Sequence, residues 1–173
     1  MKLDETRRIY SLIGILGITL IFFLMLVSIA GASPYAYITN YDNSAVSVID
    51  TATNKVTATV AVGKWPLGVA VNPDGKKVYV TNTGSNTISV IDTTTNTVIS
   101  TITDLDGPFG VAVSPDGKKL YVSNWASNDV SVIDTATNKI TSTVKVGTNP
   151  RGIVVTPNGK RVYVANLNSR NVY

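Results

Sequence analysis

Residues 66–102 read PLGVAVNPDGKKVYVTNTGSNTISVIDTTTNTVISTI, and this stretch decides the fold. It breaks into four short apolar runs: Gly68 to Val71, Val78 to Thr81, Ile88 to Ile91 and Val98 to Ile102. These are strand lengths, not helix lengths. The separators include Pro73-Asp74-Gly75 and Asp92-Thr93-Thr94-Thr95-Asn96, whose Asn, Asp and Gly tolerate left-handed backbone angles or bond their own backbone and so reverse the chain. Four antiparallel strands joined by tight turns result.

The same pattern recurs on both sides at a fixed interval. Asn40, Asn82, Asn124 and Asn166 lie 42 residues apart, and Asp50, Asp92 and Asp134, Pro66, Pro108 and Pro150, and Gly75, Gly117 and Gly159 keep the same spacing without an insertion. A period near 40 residues made of four short strands predicts propeller blades. Val69-Ala70-Val71 and Ile153-Val154-Val155 read as strands buried on both faces, whereas Val56, Ala58 and Val60 alternate with Thr57 and Thr59, the pattern of a rim strand. The expected fold is therefore all-β, a partial (open) β-propeller of four-stranded antiparallel blades.

Tyr79-Val80-Thr81-Asn82, with Tyr37-Ile38-Thr39-Asn40, Tyr121-Val122-Ser123-Asn124 and Tyr163-Val164-Ala165-Asn166, resembles the signature of the YVTN-type β-propeller repeats. The Asp-Thr-x-Thr-Asn and Pro-Asp-Gly-Lys-Lys turns are similar to that family too, over residues 35 to 173. The resemblance implies an extracytoplasmic propeller of cell-surface or surface-layer type. It implies little about ligand, because the scaffold carries unrelated functions.

Composition narrows the chemistry. The 173 residues contain no Cys and no His, 15% are charged, and the formal net charge is +4. Disulfides, thiolate zinc sites, imidazole bases and Cys/His nucleophile pairs are excluded. The one Glu is Glu5, so later carboxylates are all Asp, and each repeated Asp has a turn to explain it. Lactone hydrolases of propeller type hold a metal through Glu, Asp and Asn around a closed channel, and this pattern is missing. The expectation is a non-catalytic binding or structural protein without cofactor or metal; the alternative is a remnant or fragment of a propeller enzyme, lactonase-like or quinoprotein-like.

Ahead of the repeats, Ile9 to Ile29 carries no charge and follows Lys2, Arg7 and Arg8. A single hydrophobic helix over this stretch is expected, making residues 1–32 either a signal peptide cut near Ala30-Gly31-Ala32 or a retained single-pass membrane anchor, with the repeats over 33–173. Both readings export the repeats and keep the amino terminus cytoplasmic.

Strand alternation assigns the loops to two faces. One keeps its turn residues in every unit; the other varies and holds Tyr41, Trp65, Leu67, Phe109, Trp125 and Arg151. These six are the candidate contacts for a surface protein or glycan, including sugar rings stacked on aromatics. Equally, Trp65 and Phe109 can cap the core between blades. The constant face repeats Lys55, Lys76, Lys77, Lys118, Lys119, Lys139, Lys160 and Arg161, interleaved with Asp, which reads as ordinary solubility and not as a nucleic-acid surface.

Residues 33 to 173 hold about 3.4 units, whereas closed rings hold about four to eight blades. Open ends predict self-association, because uncovered blade faces and free strand edges template pairing with another copy. Residues 33 to 173 alone are expected either to self-associate, giving dimers or larger species in light scattering after size exclusion, or to be marginally stable; a monodisperse, cooperatively folding monomer at high concentration would refute this.

Overall fold

The computed structural model describes residues 35–172. The expected hydrophobic helix and the signal-or-anchor segment lie outside the described residues. Among the described residues no helix is long and apolar enough to cross a membrane.

Fourteen strands run in order: β1 (Tyr35–Asn40), β2 (Ala45–Asp50), β3 (Lys55–Ala61), β4 (Pro66–Val71), β5 (Lys77–Asn82), β6 (Thr87–Asp92), β7 (Thr97–Ile102), β8 (Pro108–Val113), β9 (Lys119–Asn124), β10 (Asp129–Asp134), β11 (Lys139–Lys145), β12 (Pro150–Val155), β13 (Val162–Asn166) and β14 (Asn171–Val172). They form four antiparallel meanders, β1-β2-β3, β4-β5-β6-β7, β8-β9-β10-β11 and β12-β13-β14. The two middle sheets are complete four-stranded blades, as the repeat predicts, and the outer two have three strands each. Edge strands β4, β8 and β12 pack on one another in succession, while rim strands β3 and β7 barely meet. The blades thus fan out from a hub lined by β4, β8 and β12.

Turn chemistry explains the reversals. Gly75, Gly117 and Gly159 have φ of 71°, 72° and 68°, and Asn54, Asn96 and Asn138 lie at 55°, 53° and 57°. Both are residue types that enter the left-handed region at low cost. Asp92 Oδ1 accepts from the backbone N–H groups of Thr94 and Thr95 at 2.8 and 3.1 Å, and Asp134 Oδ1 from those of Ala136 and Thr137 at 3.1 and 2.8 Å. Bonds from the Thr95 and Thr94 backbone hold the Asp92 carboxyl below the ordinary range, and the backbone and hydroxyl of Thr137 do the same for Asp134.

At the hub each blade is hooked to the next by a side-chain hydroxyl. Thr39 Oγ1 donates to Leu67 O at 3.0 Å, Thr81 Oγ1 to Phe109 O at 2.7 Å and Ser123 Oγ to Arg151 O at 2.7 Å. The same oxygens of Thr81 and Ser123 accept the N–H of Gly68 and Gly110, at 2.8 and 2.9 Å. These glycines lie where the register between the first two strands slips, between Pro66 and Val69 and between Pro108 and Val111. Their N–H groups turn to the hydroxyl instead of the ladder. A Cβ on Gly110 would stand 2.2 Å from Arg151 O, so only glycine lets the next blade approach. At the last sheet Ala165 replaces the hydroxyl, and a Cβ on Gly152 would meet only the Ala165 Cβ, at 3.9 Å.

Three apolar clusters fill the gaps between blades: Tyr37, Val48, Val78 and Ile91; Tyr79, Ile88, Val90, Leu120 and Ile133; and Val130, Ile153 and Val164. Tyr79 is fully buried, while Tyr163, its counterpart two units on, is 41% exposed because no described sheet lies beyond β12-β13-β14. The reading of the first strand as buried on both faces is corrected. Leu67 to Ala70 are half-buried and Val154 is 60% exposed, whereas Val78 to Asn82 and Ile88 to Ile91 are buried. The middle strands have sheet partners on both edges and blades on both faces; the first strand faces the open hub.

The hub geometry predicts a contrast between two identical substitutions. Gly110→Ala is expected to cost about 1–3 kcal/mol through overpacking, and Gly152→Ala to lie within about 1 kcal/mol of the parent, measured as denaturant midpoints. A second expectation concerns acid. The Asp92 and Asp134 carboxyls titrate below the unfolded value of about 3.9. Their contribution to stability is complete above that value and is lost as pH falls through their folded values. Asp92→Asn with Asp134→Asn keeps the acceptor oxygens and removes the titration, so stability in urea titrations below about pH 4 should fall less steeply than in the parent.

Candidate functional site

The loops before the first strand and after the second strand of each blade share one face. Backbone hydrogen bonds tie them together: Thr83 N–H donates to Trp65 O at 3.0 Å, Trp125 N–H to Gly107 O at 2.8 Å and Leu167 N–H to Asn149 O at 3.1 Å. The residue before each repeated Pro is left-handed, with φ of 52° at Trp65, 63° at Gly107 and 53° at Asn149. Glycine and asparagine enter this region readily, but a bulky side chain there costs about 1–2 kcal/mol. Trp65 is nevertheless placed there, and its indole stacks on the Tyr41 ring of the preceding blade, centroids 5.9 Å apart and planes 10° from parallel. Both rings are largely open to solvent, Trp65 at 52% and Tyr41 at 44% exposure. Trp65 therefore joins none of the three core clusters.

Leu67, Phe109 and Arg151 occupy one register position, at the start of the three hub strands. The Arg151 guanidinium carbon lies 5.1 Å from the centre of the Phe109 ring. A cation over an aromatic face is worth about 0.5–1 kcal/mol at an exposed site. Leu67 is half-buried and contributes its carbonyl to the hydroxyl hook. Arg151 also lines, with Leu167 and Arg170, a cavity of about 260 Å³ on the last sheet. Trp125 is exposed, and its carbonyl accepts from Asn149 Nδ2 at 3.1 Å. The six candidate residues thus fall into one aromatic stack, one cation–aromatic pair and two single positions, Leu67 and Trp125.

One group was missed by the sequence reading. Asp129, at the start of β10, is buried and pairs with Lys145 Nζ at 3.1 Å, while Asn124 Nδ2 donates to its Oδ1 at 2.8 Å. Burial pushes its carboxyl up, but the bonds from Asn124 and Lys145 prevail and hold it below the ordinary range. The available signal was a charge at a register position that holds Ala45, Thr87 and Asn171 in the other units. The preceding Asn is a constant hub-end anchor: Asn82 Nδ2 donates to Ser89 Oγ at 3.0 Å, Asn124 Nδ2 to Ser131 Oγ at 2.8 Å and Asn40 Nδ2 to Ser47 Oγ at 2.9 Å.

A family model described as lactonase, 7-bladed beta-propeller, matches residues 92–173, and one described as YNCE-like beta-propeller matches residues 12–124. Among solved structures, hydrazine synthase of Kuenenia stuttgartiensis is 35% identical with a TM-score of 0.73, over 76% of this chain and 38% of that one. Dihydro-heme d1 dehydrogenase NirN, in complex with DHE, is 17% identical with a TM-score of 0.67, over 79% of this chain and 31% of that one, a likeness of fold alone. No curated relative matches.

These matches correct the expectation that the protein is not an enzyme: a lactonase model covers its second half, and the 35% identical structure is an enzyme. Few reactive side chains within these blades do not decide against an enzyme, because a propeller draws its reactive groups from around the ring. The metal that a lactonase reading brings does not fit the residues present. Among the described residues no three Asp, Glu, His or Cys side chains converge, and the Asp74, Asp92, Asp116 and Asp134 carboxylates accept bonds within their own turns. With the YNCE-like model matching residues 12–124, well over half of its length, the chain belongs to the YNCE-like β-propeller family.

Proposed function

We propose that the chain is a blade segment of a lactonase-like propeller enzyme and that its variable loop face holds the substrate. The observation that carries this reading is that Phe109 and Arg151, the cation–aromatic pair at the hub, lie inside the segment matched by the lactonase model. Phe109 offers an apolar wall to the ring of a lactone. Arg151, stacked on it, directs N–H donors toward the acyl oxygen or a neighbouring carboxylate, where charge-assisted bonds orient the ester and stabilise negative charge on its oxygen. Arg151 and Phe109 are positioning and binding groups in this scheme, and neither activates the attacking water. We further read the units as YVTN-type repeats, from Tyr79-Val80-Thr81-Asn82, and the uncharged run Ile9 to Ile29 as the segment that carries them across a membrane.

The test is hydrolysis of a lactone panel by the full-length protein. Turnover is expected, with Arg151→Ala raising KM about tenfold, equivalent to about 1.4 kcal/mol of binding, and kcat changing less. No lactone turnover, turnover only in dye-linked oxidation of alcohols or sugars, or an unchanged KM in Arg151→Ala would each overturn the proposal.

A further inference from the structure

The turn between β12 and β13 differs from its two counterparts at the residue before the left-handed glycine. Where they read Pro73-Asp74-Gly75 and Pro115-Asp116-Gly117, it reads Pro157-Asn158-Gly159, the only Asn-Gly pair in the sequence. Asn158 and Gly159 are both exposed. Two donors meet on the Asn158 side-chain carbonyl, Thr156 Oγ1 at 2.7 Å and Lys160 N–H at 3.1 Å. The Asp116 carboxylate takes the same two donors from its own turn, Ser114 Oγ at 2.5 Å and Lys118 N–H at 3.1 Å. The turn thus holds an amide or a carboxylate in one geometry.

We propose that Asn158 is a site of spontaneous deamidation, with water as the co-reactant. The Gly159 nitrogen gives up its proton and bonds to Asn158 Cγ, closing a five-membered imide, while the side-chain nitrogen takes up a proton and leaves as ammonia. Water then opens the imide at either carbonyl, giving aspartate or isoaspartate. Negative charge develops on Oδ1 as Cγ becomes tetrahedral, and Thr156 Oγ1 and Lys160 N–H already point at that oxygen. Glycine leaves the attacking nitrogen uncovered: a Cβ on Gly159 would meet nothing nearer than Pro115 Cδ, at 3.5 Å. Every other Asn precedes a residue whose side chain shields its nitrogen or, at Asn72 and Asn149, a proline with no N–H to give up. Gly159 N–H donates to Thr156 O at 2.8 Å, so proton loss is the slow step. The aspartate product keeps the turn of the other units, whereas isoaspartate inserts a methylene into the main chain. The proposal goes beyond the lactonase reading and does not depend on it.

Mass spectrometry of the tryptic peptide 152–160, from full-length chain aged in warm, mildly alkaline oxygen-18 water, tests it. This peptide is expected to exchange its amide nitrogen for labelled oxygen faster than any other Asn-containing peptide of the chain, and the rate to rise with pH. Thr156→Val is expected to slow the exchange about fivefold by removing a donor from Oδ1. Thr156→Ser, which brings in the residue type of Ser114, is expected to keep the rate. Asn158→Asp, which has the sequence of the product, is expected to melt at the temperature of the parent. An exchange rate at Asn158 no higher than at the other Asn residues, a rate in Thr156→Val equal to or above that of the parent, or a lower melting temperature in Asn158→Asp would overturn the assignment.

Discussion

The hydroxyl hook at the hub is the contact on which the rest of the arc depends. A single oxygen, Thr81 Oγ1, accepts the N–H of its own blade's first strand and donates to the carbonyl of the next blade's, and Ser123 Oγ repeats the arrangement one unit on. Each such bond joins residues 28 positions apart and brings the backbones so close that Gly68 and Gly110 admit no side chain. The slip in register beside each hook would leave an N–H of the first strand without a ladder partner, and the hydroxyl supplies it. Hook, bulge and glycine are three parts of one constraint, and the apolar clusters between blades close around it.

A scaffold held at the hub and in its turns leaves its loops free to differ. The loops that carry Asp50, Asp92 and Asp134 are bound by their own carboxylates and hardly change between units. The opposite loops are tied by backbone bonds and by side chains such as Ser85 and Asn86, which accept from the Lys64 and Gly107 N–H groups, and there the chain presents an indole, a phenol, a phenyl ring and a guanidinium. Such a division between constant geometry and variable chemistry is usual where binding groups sit on a rigid frame. Trp65 shows its strength, since a left-handed tryptophan persists because the loop bonds around it, Thr83 N–H to Trp65 O and Gly84 N–H to Lys64 O, over-determine the backbone.

Reactive side chains within a set of blades are a poor guide to the class of a propeller. Without His, Cys or any Glu beyond Glu5, these repeats look inert, and the comparisons nonetheless set them beside enzymes. The chain spans 38% of the hydrazine synthase chain it resembles. Blades contribute walls and orientation as well as catalytic groups, and in the lactonase-like proposal the Phe109 and Arg151 pair is a contribution of the first kind.

The repeat, the strand count per blade and the turn positions were legible in the sequence because their causes are local. Strand alternation and left-handed Gly and Asn act within a few residues of themselves, and the 42-residue register of Gly75, Asn96 and Asp92 exposes them. Burial of the first strand was misread because apolar runs look alike whether they face a blade or an open hub. The Asp129 and Lys145 pair, the Tyr41 and Trp65 stack and the placing of Arg151 over Phe109 join residues from separate strands or blades. Composition names such residues, but whether two of them meet depends on how far one blade turns against the next, and that angle is set by packing around the hub rather than by any stretch of chain alone.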